Sequence, residues 1–109
     1  MSAIDLNGIE WKPTRHRGVF VYPLWHDEQS GDMAMLIRLQ PGCAYPRHRH
    51  VDDEDVFILQ GVLRDEMIEL SVGRYHRYSQ GSIHSPIALA IGEDCIFLCL
   101  ARGGVELIS

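Results

Sequence analysis

The chain has 109 residues with 46% hydrophobic content, enough for one compact domain with a modest core, expected over residues 1–109. Its formal net charge is −5, Lys12 is its sole lysine and its arginines are scattered, so it lacks the positive footprint that phosphate neutralisation requires and nucleic acid is not an expected partner. No apolar run reaches membrane-spanning length, and the opening Met-Ser-Ala-Ile-Asp has neither the basic region nor the apolar stretch of a signal peptide, so no membrane contact and cytoplasmic residence are expected.

In chain order, Leu6, Ile9 and Trp11 stand among polar neighbours and predict an arm over residues 1–17, anchored by Trp11 on the domain or on a partner subunit. Runs rich in β-branched and aromatic residues follow at 18–25, 33–39, 56–59 and 96–100. Turn clusters at Ser30-Gly31-Asp32, Pro41-Gly42, Gln60-Gly61, Gln80-Gly81 and Gly92-Glu93-Asp94 punctuate them. Residues 64–70 could form a helical turn or two but read as a strand ending in a loop, and no segment combines helical period, cap and length. The punctuation predicts an all-β sandwich or barrel. Met33, Met35, Phe57, Ile58, Phe97 and Leu98 are its expected core or pocket backing. Cys43, Cys95 and Cys99 form an odd set without a CxxC pattern and read as reduced packing residues rather than a zinc site.

The chemistry concentrates in His48-Arg49-His50, with Glu54 four residues on and His84 beside a later turn. Residues two apart on a strand face the same way, so His48 and His50 can aim at one interior point. If the strand continues through Asp52, Glu54 shares their face, and His84 arrives from a second strand to complete the clamp. Three imidazoles and a carboxylate suit Zn²⁺, Fe²⁺, Mn²⁺, Ni²⁺ or Cu²⁺ and make a poor Ca²⁺ or Mg²⁺ cage. Asp52, Asp53 and Asp55 read as solvated surface at a strand turn, the last two with parity opposite to Glu54. His76 reads as a surface histidine, alternation placing inward either Tyr75 and Tyr78 or His76 with its basic neighbours, and His16 and His26 read as solvated side chains without a role. Tyr45 and Arg47, which precede the histidine strand, and Phe57 are the candidates for touching a substrate.

Read from Gly42, the pattern Gly42-x5-His48-x-His50-x3-Glu54-x6-Gly61 resembles the first motif of the cupin superfamily at every defining position. Gly73-x5-Ser79-x-Gly81-x2-His84-x3-Ala88 resembles the second, with Ser79 where the family has Pro and Ala88 where it has Asn, changes that touch loop stiffness and the ligands' surroundings but no ligand. A resemblance over nearly the whole chain is to the cupin domain of ChrR-type anti-sigma factors. It runs through Trp11, residues 18–24, Pro41-Gly42, Tyr45-Pro46-Arg47-His48-Arg49-His50 and Leu59-Gln60-Gly61-Val62-Leu63-Arg64-Asp65-Glu66. In those proteins a separate N-terminal zinc domain grips the sigma factor; its His-x3-Cys-x2-Cys pattern does not occur in these residues, so a complete anti-sigma factor of that kind is not expected.

The resemblance implies a small cupin-type β-barrel, the double-stranded β-helix or jelly roll, with one divalent metal per chain (Fe, Mn, Ni or Zn) on His48, His50, Glu54 and His84. It also implies a homodimer formed through sheets or exchanged N-terminal strands. Two functions fit that site. One is a metal-dependent enzyme of dioxygenase type acting on a small organic substrate, in which an octahedral ion held by four protein groups keeps two positions open. The other is a non-catalytic zinc-binding sensor or regulatory module, in which tetrahedral zinc is closed to substrate and Cys95 and Cys99, four apart on one strand face, respond to an oxidant. A domain standing alone tips the expectation towards the enzyme.

Overall fold

A computed structural model describes residues 3–66 and 68–108. Among the described residues, a 3-10 turn at Leu6–Gly8 is followed by twelve strands: β1 (Lys12–Pro13), β2 (Val19–His26), β3 (Met33–Leu39), β4 (His48–His50), β5 (Glu54–Gln60), β6 (Val62–Arg64), β7 (Glu69–Ser71), β8 (Tyr75–Tyr78), β9 (Ile83–His84), β10 (Ile87–Ala88), β11 (Cys95–Ala101) and β12 (Val105–Leu107). They form one six-stranded sheet, β1-β2-β3-β11-β5-β8, and two three-stranded sheets, β10-β6-β7 and β12-β4-β9. Every pairing is antiparallel. The expected strands at 18–25, 33–39, 56–59 and 96–100 coincide with β2 and β3 and lie inside β5 and β11.

Residues 64–70 differ from the expectation. They are the end of β6, a tight connection and the start of β7, closed by the Asp65 N–H donating to the Ile68 carbonyl at 2.8 Å; Met67 lies outside the described residues. Four to five residues of mixed polarity carry no period that separates a hairpin from a frayed strand. At the other end of the chain, β1 pairs with β2 as the edge of the large sheet, a position where Pro13 needs to supply no ladder donor.

The core follows from strand alternation. On β11, Cys95, Phe97, Cys99 and Ala101 are buried and meet Val56 and Ile58 of β5 and Leu39 and Ile37 of β3. The three cysteines are free and buried, as the packing reading expects. Side chains of opposite parity lie on the outer face of the large sheet, where the register aligns Tyr22, Leu36, Leu98, Phe57 and Tyr75 in one row.

Asp55 corrects the expectation of a solvated acidic cluster. It has the outward parity, yet it is only 7% exposed, because Arg77 donates to it from Nε at 2.7 Å and from Nη2 at 3.1 Å, Arg102 donates at 3.0 Å and the Tyr75 hydroxyl closes the cluster. The hydrogen bonds from Arg77 above all, joined by those from Tyr75 and Arg102, outweigh burial and hold its carboxyl far below the ordinary 3.8. A depressed folded-state pKa contributes stability above the unfolded value and loses it as pH falls below. Asp55→Asn is therefore expected to cost about 2 kcal/mol at neutral pH, less than a fully buried pair because both arginines can return to water. Urea midpoints of the two proteins measured against pH should begin to draw together as the pH falls below the ordinary carboxylate range and meet only as it approaches the depressed folded-state value.

Candidate metal centre

The four expected ligands come together, but by a route the sequence did not show. The chain bends at 51–53 and changes sheet, so His48 and His50 belong to β4 in one three-stranded sheet while Glu54 opens β5 in the six-stranded one. The strand does not continue through Asp52, and Glu54 reaches the histidines because its sheet faces theirs across the interior. His84 closes β9 directly opposite His48 in the antiparallel register, which sets the two rings side by side on one face. Three strands, rather than two, hold the site.

One donor atom from each of the four residues lies within 4.8 Å of every other. His48 Nε2 is 3.1 Å from His50 Nε2 and 3.0 Å from His84 Nε2, and His50 Nε2 is 3.3 Å from Glu54 Oε1. His48, His50 and Glu54 are 2%, 1% and 4% exposed, so these groups have given up water as a partner.

The outer ring nitrogens decide where the protons sit. His48 Nδ1 faces the Pro46 carbonyl at 2.9 Å, an acceptor only, so it must donate. His84 Nδ1 donates to Asp65 Oδ2 at 2.8 Å. His50 Nδ1 lies 2.8 Å from Ser82 Oγ, whose own proton goes to the Ser79 carbonyl at 2.6 Å, so here too the ring donates. Each neutral imidazole thus carries its proton on Nδ1 and turns the Nε2 lone pair inward. Burial lowers the pKa of His48 and of His84 and so favours the neutral form of both rings. Three ring nitrogens and a carboxylate thus converge on one buried point, and a divalent cation is a partner that all four can bind at once.

Asp65, Ser82 and the Pro46 carbonyl are the site residues that sequence reasoning missed. They come from three separate connections between strands; Pro46 and Asp65 were visible only as parts of the stretches resembling the ChrR cupin domain. Hydrogen bonds from His84 and from the Glu66 N–H overcome burial to keep the Asp65 carboxyl below its ordinary value. Ser79 serves through its carbonyl, which a proline would supply equally well, so that departure from the family pattern leaves the site intact.

The substrate candidates separate. Tyr45 stands edge-on to His48 with ring centroids 5.1 Å apart and borders the interior cavity; burial, with the charges of Cys99 and Glu54, pushes its phenol up to about 12. Arg47 is exposed and lines a surface groove with Arg64, Asp65 and the outer side of His84. Phe57 lies on the outer face, 39% exposed, one residue out of phase with inward Val56 and Ile58, and does not reach the site.

Of the remaining candidates, Asp52 and Asp53 bind neighbouring backbone amides, His26 is exposed, and His16 stands outside the donor cluster. His76 is half-buried with its ring against Tyr78 at 4.7 Å, and the outward pair is Tyr75 and Arg77. Neither expected alternative holds for that strand, because Tyr75 and Tyr78 are three apart and cannot share a face.

Beyond the donors, the cavity is walled by Met33, Ile37, Val56, Leu63, Phe97 and Val105, with Cys99 beside Glu54. It leaves the centre of a water-sized body about 10 Å³ to move in, room for one such body.

The sequence of the ChrR cupin-like domain family matches residues 1–103. The chain belongs to the ChrR cupin-like family. Among solved structures, an RmlC-like cupin protein of Ralstonia eutropha superposes on this ChrR-like cupin with a TM-score of 0.86 at 23% identity, over 99% of this chain and 72% of the other. A chain in the crystal structure of Rhodobacter sphaeroides SigE in complex with the anti-sigma ChrR matches at 31% identity and a TM-score of 0.78, over 90% of this chain but only 51% of its own length. An acetylacetone dioxygenase of Acinetobacter johnsonii superposes at 0.83 with 14% identity, over 100% of this chain and 77% of the other, a likeness of fold alone. No curated protein matches the sequence.

Proposed function

We propose that this ChrR-like cupin binds one divalent transition metal through His48, His50, Glu54 and His84 and works as a metal-dependent enzyme of dioxygenase type on a small, largely apolar organic substrate. The observation that carries the reading is the make-up of the cavity: His48, Glu54 and His84 border it, and the rest of its lining is mostly apolar, with the Tyr45 phenol and the Cys99 thiol, both kept protonated by burial, as its other polar groups. The metal supplies Lewis-acid and redox chemistry when bound. The chain's own groups then orient and exclude water. Burial keeps the Tyr45 hydroxyl protonated at the cavity edge, where it is a donor to a substrate oxygen. Met33, the most flexible side chain of the wall, makes room for a guest larger than water.

A second reading, a zinc sensor or regulatory module, is favoured by the small free volume, by the full burial of three ligands and by the likeness to a chain from a structure containing ChrR. Elemental analysis and X-ray absorption on protein purified without added metal or an affinity tag separate the two. The enzyme reading expects near-stoichiometric iron, manganese or nickel with five or six light ligands, and oxygen uptake with small diketones or phenols. Four-coordinate zinc without oxygen uptake would replace it by the sensor, and metal-free protein that takes up none of these ions would remove both.

A further inference from the structure

Building on the metal reading, we infer that Asp65 is the positioning residue of this centre, fixing the direction of His84 and making it the strongest donor of the three imidazoles. The three rings are held from behind by unlike partners: a carbonyl at Pro46, a hydroxyl at Ser82 and a carboxylate at Asp65. Only the last carries charge, and an ionised acceptor makes the shorter, stronger hydrogen bond and raises the electron density of the ring it holds.

The carboxylate is itself fixed. Asp65 Oδ1 accepts the Glu66 N–H at 2.7 Å while Oδ2 accepts from His84 at 2.8 Å, so neither oxygen is free to swing. Its side chain is 14% exposed and that of His84 7%, so solvent screens the pair little. Tyr78 adds a wall. Its ring centroid lies 4.2 Å from that of His84, and its buried hydroxyl, outside strict hydrogen-bond geometry, lies close enough to the Asp65 carboxylate for that charge to add to burial in raising the phenol's pKa. The ligand most in need of support is also the one supported: His84 sits on a two-residue strand beside a turn, whereas His48 and His50 share a strand paired on both sides. Asp65 thereby ties the turn between β6 and β7 to a centre built from β4, β5 and β9.

The test uses full-length protein stripped by a chelator and titrated with Zn²⁺ against a chromophoric competitor, and with Co²⁺ followed by its visible absorption. Asp65→Asn keeps the size and removes the charge; it should weaken Zn²⁺ binding by about 10–100-fold and shift the Co²⁺ bands, with the melting temperature of the metal-free protein nearly unchanged. Ser82→Ala, which removes a neutral partner, should weaken binding less. If Asp65→Asn does not fold, Asp65→Ser, small and polar in the same turn, reads the same loss. Wild-type affinity and Co²⁺ spectrum in the Asp65 variant, or an equal loss in Ser82→Ala, would overturn the inference while leaving the metal reading standing. Failure of the unaltered protein to bind either ion would overturn both.

Discussion

His48→Ala is expected to abolish stoichiometric metal binding. His48 Nε2 is the donor that touches both other imidazoles, at 3.1 Å and 3.0 Å, so its removal opens the middle of the set rather than an edge. Loss of an outer partner costs about 10–100-fold in affinity, and loss of a ligand should exceed that. The same change shows in stability. A ligand bound by the folded state alone at a thousand times its Kd stabilises by about 4 kcal/mol, so the rise in melting temperature on adding metal should vanish in the variant. His16→Ala and His26→Ala are the controls, since both residues stand outside the donor cluster and should retain full occupancy. Equal loss in all three variants by elemental analysis would sink the assignment.

Gly61→Ala is expected to be strongly destabilising. Gly61 has φ of +73°, and a Cβ there would lie 2.7 Å from the Asp94 carbonyl oxygen and 2.9 Å from Cys95 Cα. Both are backbone atoms, which cannot swing aside as a side chain would. The left-handed conformation costs about 1–2 kcal/mol for an L-residue and overpacking adds about 1–3, giving roughly 3 kcal/mol or more. For a domain of this size that lowers Tm by more than about 12 °C, read in a thermal melt. Gly81→Ala is the contrast: its φ is +84° but nothing lies within 4 Å of its Cβ position, so only the conformational cost applies. Equal losses at the two positions would show that the close approach at Gly61 is not what requires glycine.

The contrast also explains two motif glycines by different physics. Gly61 turns the chain from β5 in the large sheet into β6 in a small one, packed against the start of β11. Gly81 lies in open space and needs only its φ, while its N–H donates to the His50 carbonyl at 2.8 Å. The spacing of both was visible in the chain; the reason for each was not.

The all-β class and the four candidate ligands were legible in the sequence because they rest on local properties: turn residues that demand particular φ values, β-branched runs, and a histidine repeat at the side-chain period of a strand. His84, beside a later turn, was read into the same set, and its place in the second cupin-like motif supported that reading. Packing then decided what local pattern could not. That Glu54 enters from a second sheet, that Asp55 is buried under two arginines while Phe57 beside it is exposed, and that Asp65 stands behind His84 all depend on which sheets face one another. Parity places a side chain on one side of its own strand, but which side is interior, and which distant turn fills the space behind a ring, is fixed only when non-local strands close the barrel and bury both.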